Sequence, residues 1–320
     1  MRLASIRVPG GLRPGIGVAA ADGWSVVRVD LLDPAAPETV LGLLSLPGEE
    51  QRRYARLAAE AAGRSGHPAV TALEETPLGP PVQPSPKVIC LALNYRAHAA
   101  EGGFVAPKRP VIFFKGPNSL TGHGADIAVP PITRRIDHEG ELAVVIGRRC
   151  KGLTDENWQE AVAGYAVMND LTARDLQLAD IEARHPWDFS KSIDGYGPIG
   201  PWLVTPDEVP DPQVLDLELR VDGELRQKST TGRMIFGVRE LLTYISSAVT
   251  LEPGDVIATG TPDGIGPVPD GSTVEVRVGD LGVLRNRVVF DHASPRGPAA
   301  GPPGEPARST TPDQEGGEPA

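Results

Sequence analysis

Apolar residues in this chain come in short runs, each cut off by glycine or proline, and that punctuation limits what it can fold into. Val88 to Leu93, Val111 to Phe114, Leu142 to Ile146 and Val256 to Ala258 are too short for helices and are bounded by turn residues, so they read as strands. The chain carries 37 Gly and 33 Pro in 320 residues, which leaves little room for long helices. Leu215 to Val221 alternates apolar and charged residues, and Asp222-Gly223 then turns it into Glu224-Leu225-Arg226, the signature of a hairpin. Two helices are expected. One lies near Glu49 to Ala62, and the other spans Gly237 to Ser247, where Val238, Leu241, Leu242 and Ile245 follow helical spacing. Strands outnumber helices and no regular βα alternation or internal repeat is visible, so the expected class is α+β and β-rich.

Three regions follow from texture. Residues 1–84 read as a small β-rich N-terminal domain, closed by a linker in which Pro77, Pro80, Pro81, Pro84 and Pro86 enforce extended backbone. Residues 85–290 hold the strand-like blocks. Residues 291–320 contain no Val, Ile, Leu or aromatic residue, and Pro plus Gly supply 12 of the 30, so a disordered tail is expected. Hydrophobic residues at 40 % and charged residues at 23 % allow a sizeable core. The net charge of −11 argues against nucleic acid as a partner, because phosphate binding needs a basic surface. Cys90 and Cys150 read as unpaired thiols of a reducing compartment. No apolar run reaches the length of a membrane span, and the N-terminus lacks a signal peptide's apolar stretch, so a soluble cytoplasmic protein is expected.

The chemical signal is Asp137-His138-Glu139-Gly140-Glu141, running straight into Leu142-Ala143-Val144-Val145-Ile146. On a strand, residues i and i+2 share a face, so Glu139 and Glu141 point the same way. Two neighbouring carboxylates entering an apolar strand repel each other and lose hydration, and a divalent cation resolves both problems. The bland alternative is a solvated strand end with two surface glutamates. In Ala166-Val167-Met168-Asn169-Asp170-Leu171-Thr172-Ala173-Arg174-Asp175-Leu176-Gln177, Asp170 follows an apolar strand and suits either a third ligand or a helix N-cap. Asp175 is the weaker ligand candidate and reads as a solvated helical residue. An oxygen-only set favours Mg2+ or Mn2+, with Ca2+ a further option.

Other positions are two-sided when read alone. His98 and Glu101 lie three apart in a helical turn, as a general base with its orienting carboxylate or as an incidental surface pair. Lys191 suits a substrate carboxylate or enolate, or is a surface lysine. Thr259-Gly260-Thr261-Pro262-Asp263-Gly264 presents N–H groups and hydroxyls to an anion, or is a strand-ending turn.

Together these segments resemble the fumarylacetoacetate hydrolase family, particularly its shorter bacterial-type and domain-containing members. The resemblance rests on the Glu-Gly-Glu strand, the Asn169 to Gln177 stretch, Lys191-Ser192 with Asp194-Gly195, and Gly254-Asp255 leading to Thr259-Gly260-Thr261-Pro262, in the family's order over about residues 85–290. It implies mixed sheets rolled around the active site and a small N-terminal domain. It implies Glu139, Glu141 and Asp170 as ligands to Mg2+ or Mn2+, and His98 with Glu101 as a water-activating dyad on a mobile segment. It implies that Arg174 and Gln177 lie near substrate oxygens, and that Lys191 and Thr261 bind the substrate carboxylate or stabilise developing charge. The reaction implied is C–C hydrolysis of an acylpyruvate or related β-diketo acid, with decarboxylation of an oxaloacetate-type acid or isomerisation as alternatives on the same scaffold. The partners implied are an oxo-acid substrate and a second copy in a homodimer. Ile193, the Gly102-Gly103 pair after Glu101, and Arg233 depart from common family residues, and these departures bear on substrate identity.

Overall fold

The computed structural model describes residues 1–21 and 23–292. All of the 291–320 segment except its first two residues lies outside them. The chain is β-rich α+β, as its short apolar runs require. Among the described residues the longest helix, Gly48–Ala62, has 15 residues, and no helix is long and apolar enough to cross a membrane. Cys90 and Cys150 are both free thiols.

The site is organised by one strand, Gly140–Ile146, buried on both faces along its whole length. It pairs antiparallel with Val162–Asn169 on one side and with Val256–Ala258 on the other. Because side chains alternate across the pleat, Leu142, Val144 and Ile146 enter one hydrophobic cluster while Ala143 and Val145 enter another. A strand buried on both faces needs an uninterrupted apolar run, which this one has from Leu142 to Ile146. Around it grows a 12-stranded sheet. Beyond Val256–Ala258 lie Val88–Ala92 and Val111–Lys115, and beyond Val162–Asn169 lies Gly197–Val204.

The N-terminal strands extend this same sheet: Arg2–Val8 pairs with Gly197–Val204 through Arg2↔Val204 and Leu3↔Leu203. The proline-rich stretch is extended, but it is packed rather than loose, with Pro80, Pro81 and Val82 all buried. A five-stranded sheet covers the main sheet near the site. Its hairpin, Asp216–Val221 with Glu224–Thr230, turns at Asp222 and Gly223 with φ of 48° and 80°, as an Asp-Gly turn requires. This second sheet also explains the glycine between the two glutamates. A Cβ on Gly140 would stand 2.9 Å from Val276 Cγ1 and 3.2 Å from Leu219 Cδ1, so no larger residue fits where the sheets meet. The helix expected near 237–247 runs from Val238 to Ala248 and buries Val238, Leu241, Leu242 and Ile245.

Asn94 ties three segments together behind the site. Its Nδ2 donates to Phe236 O at 3.0 Å and to Thr259 O at 2.7 Å, and its Oδ1 accepts from Phe236 N at 2.9 Å. Replacing it with alanine strands three backbone groups in a buried place. Asn94→Ala is expected to cost about 2–4 kcal/mol, read as a lower urea midpoint with an unchanged slope. An unchanged midpoint would show that water replaces the amide without loss.

Candidate metal centre and active site

Antiparallel pairing assembles the carboxylates. Gly140 lies opposite Asn169, so the residues flanking Gly140 meet the one that follows Asn169. The crossing is fixed by Asn169 Oδ1, which accepts from Glu139 N at 2.9 Å, and by Glu139 O, which accepts from Asp170 N at 2.8 Å. Glu139, Glu141 and Asp170 are buried, and each offers a carboxylate oxygen within 4.8 Å of the others. The solvated strand end and the simple N-cap are therefore excluded.

Each carboxylate has its own surroundings. Asp170 accepts from Lys115 Nζ and from Lys191 Nζ, both at 2.7 Å. Glu139 accepts from Lys191 Nζ at 2.8 Å, from Thr172 Oγ1 at 3.1 Å, and from the Arg174 guanidinium. Burial works against ionisation of Glu139, but Lys191 and Arg174 outweigh it and hold the carboxyl well below the usual range. Glu141 lacks such support. Among the described residues it forms no ion pair with a lysine or arginine, and Gly260 N donates to it at 2.7 Å. Burial, then the neighbouring Asp170 and Glu139 charges, push its carboxyl well up. Only glycine suits position 260, where φ is +94° and a Cβ would lie 2.8 Å from Asn94 Cβ.

These residues fit a hard divalent cation. Three buried oxygen donors converge, and one of them has no cationic counterpart. With every group ionised, Asp137, Glu139, Glu141 and Asp170 face Arg135, Arg174, Lys115 and Lys191, four charges against four. A bound dication adds two positive charges, matching an anionic oxo acid. Ion binding needs a deprotonated carboxylate, and burial with the neighbouring Asp170 and Glu139 charges disfavours the ionised form of Glu141. Mn2+ affinity of metal-stripped protein is therefore expected to rise with pH, with net proton release on binding. Titration calorimetry in two buffers of different ionisation enthalpy measures this, and binding without proton release would contradict it.

A cavity of about 420 Å³ opens onto the centre, with His98, Glu139, Arg174, Gln177, Lys191 and Thr261 in its lining. Arg174 donates to Asp137, Glu139 and Gln177, so Arg174 and Gln177 form one connected unit. Lys191 is almost fully buried and bridges Glu139 and Asp170, so it is no surface lysine. Thr261 Oγ1 donates to Gly140 O at 3.0 Å and accepts from Gln227 Nε2 at 2.9 Å, both bonds inside the protein. The six-residue helix Arg96–Glu101 carries His98 and Glu101, with His98 Nδ1 3.7 Å from Glu101 Oε2, beyond a hydrogen bond. His98 Nδ1 is buried without a partner, while Glu101 accepts from Gly264 N at 3.1 Å. Asp175 is half-buried rather than freely solvated: it accepts from Thr133 Oγ1 and from Arg134 N, pinning the preceding loop.

Sequence reasoning missed Lys115, the Asp137 bridge between Arg135 and Arg174, and the Gln227 amide behind Thr261. Lys115 had a signal, a lone lysine closing the apolar run Val111-Ile112-Phe113-Phe114. Asp137 and Gln227 had none, since their partners are set by the tertiary fold.

The model of the fumarylacetoacetate (FAA) hydrolase C-terminal family matches residues 87–289. The chain belongs to this family. Within the fumarylacetoacetate hydrolase family it is 37 % identical over 296 residues to oxaloacetate tautomerase FAHD2B, mitochondrial, of Bos taurus, covering 90 % of this chain and 92 % of the relative. It superposes on 2-hydroxyhepta-2,4-diene-1,7-dioate isomerase from Mycobacterium marinum with a TM-score of 0.71 at 31 % identity, covering 91 % of this chain and 99 % of that one. Fumarylpyruvate hydrolase from Pseudomonas aeruginosa, solved in complex with Mn2+ and pyruvate, aligns with a TM-score of 0.62 at 36 % identity, covering 65 % and 91 %. The scaffold is thus one shared by hydrolases, isomerases and tautomerases.

Proposed function

We propose that the protein is a divalent-metal-dependent hydrolase that cleaves a C–C bond in an acylpyruvate or related β-diketo acid. The observation that carries this reading is the placement of His98 in the lining of the same cavity as Glu139, Arg174 and Lys191. A base, a carboxylate cluster and buried cations then face one bound molecule. Mg2+ or Mn2+ held by Glu139, Glu141 and Asp170 would supply Lewis-acid polarisation of a substrate carbonyl. The fumarylpyruvate hydrolase neighbour, solved with Mn2+ and pyruvate, supports that choice of ion.

The chain's own residues account for the rest. Arg174 and Lys191 provide positive charge beside the substrate's oxygens. His98 Nε2, the ring nitrogen not facing Glu101, takes a proton from water as the hydroxyl adds to the acyl carbonyl. The C–C bond breaks with its electron pair passing to the pyruvate enolate, which Lys191 stabilises. His98 returns the proton to the enolate carbon, giving pyruvate and the carboxylic acid. Glu101 orients the imidazole once its side chain turns from Gly264 N, a rotation that closes a 3.7 Å gap.

A second reading, tautomerisation, isomerisation or decarboxylation of a 2-oxo acid, is favoured by that same gap. These reactions need enolate stabilisation and proton transfer but no activated water, and the tautomerase likeness runs nearly end to end. The discriminating experiment offers metal-stripped protein acetylpyruvate, fumarylpyruvate and oxaloacetate, with and without Mg2+ or Mn2+, in 18O water. Metal-restored cleavage with one solvent oxygen in the acid product is the expected result. Metal-restored enol–keto exchange or CO2 release from oxaloacetate alone would replace hydrolysis by the second reading.

A further inference from the structure

The cavity has a charged floor and an apolar mouth. Glu139 and Lys191 are 5 % and 2 % exposed, while Phe104, Leu178 and Ile181 in the same lining are 51 %, 54 % and 38 % exposed. Depth therefore separates the two chemistries, with charge at the bottom and hydrocarbon where the cavity meets solvent. One helix builds much of this gradient. Arg174–Ala183 presents Arg174 and Gln177 from its first turn and Leu178 and Ile181, three residues apart on one face, from the next. Phe104 joins them because position 102 is glycine: a Cβ there would lie 2.9 Å from Phe104 Cδ2.

The lining cations are already committed. Arg135 donates to Asp137 through Nε and Nη2, Arg174 binds Asp137 and Glu139, and Lys191 binds Glu139 and Asp170. Among the described residues, every lysine and arginine of the lining is already paired with a carboxylate of the floor. Charge arithmetic agrees. The four-against-four cluster, once it holds a dication, has two positive charges in excess. The carboxylate and enolate at one 2-oxo acid end neutralise both. A further carboxylate among Phe104, Leu178 and Ile181 would lose hydration without a partner.

We propose that the substrate's distal group is an apolar chain or ring without a terminal carboxylate, selected by Phe104, Leu178 and Ile181. This rests on the reading that the floor takes the 2-oxo acid end. It is tested by binding rather than turnover, so that the two claims fail separately. Titration calorimetry on the full-length, Mn2+-loaded protein would compare 2-oxooctanoate with 2-oxosuberate, acids of equal length that differ by the terminal carboxylate. The expected result is at least about tenfold tighter binding of 2-oxooctanoate, with Leu178→Arg reducing the ratio about tenfold while Mn2+ binding is unchanged. Among acylpyruvates, kcat/KM should rise up to about fourfold per added methylene. Binding of 2-oxosuberate as tight as, or tighter than, 2-oxooctanoate overturns the inference, as does no measurable binding of either. If 2-oxooctanoate is preferred and no acylpyruvate is cleaved, the selectivity stands and only the hydrolase reading falls.

Discussion

Lys191→Met is expected to destabilise the metal-free protein by about 3–5 kcal/mol, the usual cost of removing one partner from a buried ion pair. Among the described residues, Lys191 Nζ is the one cation that bridges two of the three carboxylates, reaching Glu139 at 2.8 Å and Asp170 at 2.7 Å. Lys115 still pairs with Asp170 and Arg174 with Glu139, so the variant should fold. Added Mn2+ should restore much of the lost stability by replacing the missing charge, making the variant's melting temperature more metal-sensitive than the wild type's. Turnover should fall about a hundred- to a thousandfold even when metal-loaded, because charge developing on the substrate loses its donor. Acid response gives an independent check. Glu139 is held below its ordinary value, so its contribution to stability is present above the unfolded carboxyl's range and is lost as pH falls through the folded value. The variant, with less depression, should lose less stability on acidification. Wild-type stability and acid response in Lys191→Met would mean that Lys191 does not hold the carboxylate charge.

His98→Ala is expected to lower turnover by about 10²- to 10⁴-fold, the range of a positioned acid–base group, and to leave Mn2+ binding unchanged. His98 lies in the cavity lining, and its charge acts on Glu139 only after those of Lys191 and Arg174, so its removal should leave the ligand set in place. Glu101→Gln should cost less, since the Glu101 carboxylate is bonded to Gly264 N rather than to the imidazole. A His98→Ala enzyme that retains full activity would remove the proton-transfer role from this residue and leave enolate stabilisation as the chemistry of the site.

Local patterns in the sequence carried far, and they stop where long-range contacts begin. The short runs bounded by Gly and Pro marked the strands because a run of five apolar residues fits a strand buried on both faces. Period-two geometry put Glu139 and Glu141 on one face, and the run ending at Asn169-Asp170 marked the partner strand, so the three-carboxylate cluster was legible. The second-layer residues were not. Lys115 meets Asp170 across 55 residues, and Asn94 meets Phe236 across 142. The His98 and Glu101 spacing was legible, but not the rotamer that sends Glu101 to Gly264, 163 residues away. Asp175 read as solvated because nothing local foretells the Thr133–Arg134 loop folding onto it.

The most direct test of the central claim is an equilibrium titration of metal-stripped protein with Mn2+, followed by electron paramagnetic resonance, for the wild type and Glu141→Gln. The substitution is isosteric and removes a charge with no lysine or arginine partner among the described residues, so folding should persist. One Mn2+ per wild-type chain is expected, with binding weakened by at least about a hundredfold in the variant. No stoichiometric binding by the wild type, or equal affinity in Glu141→Gln, would contradict a metal centre built on Glu139, Glu141 and Asp170.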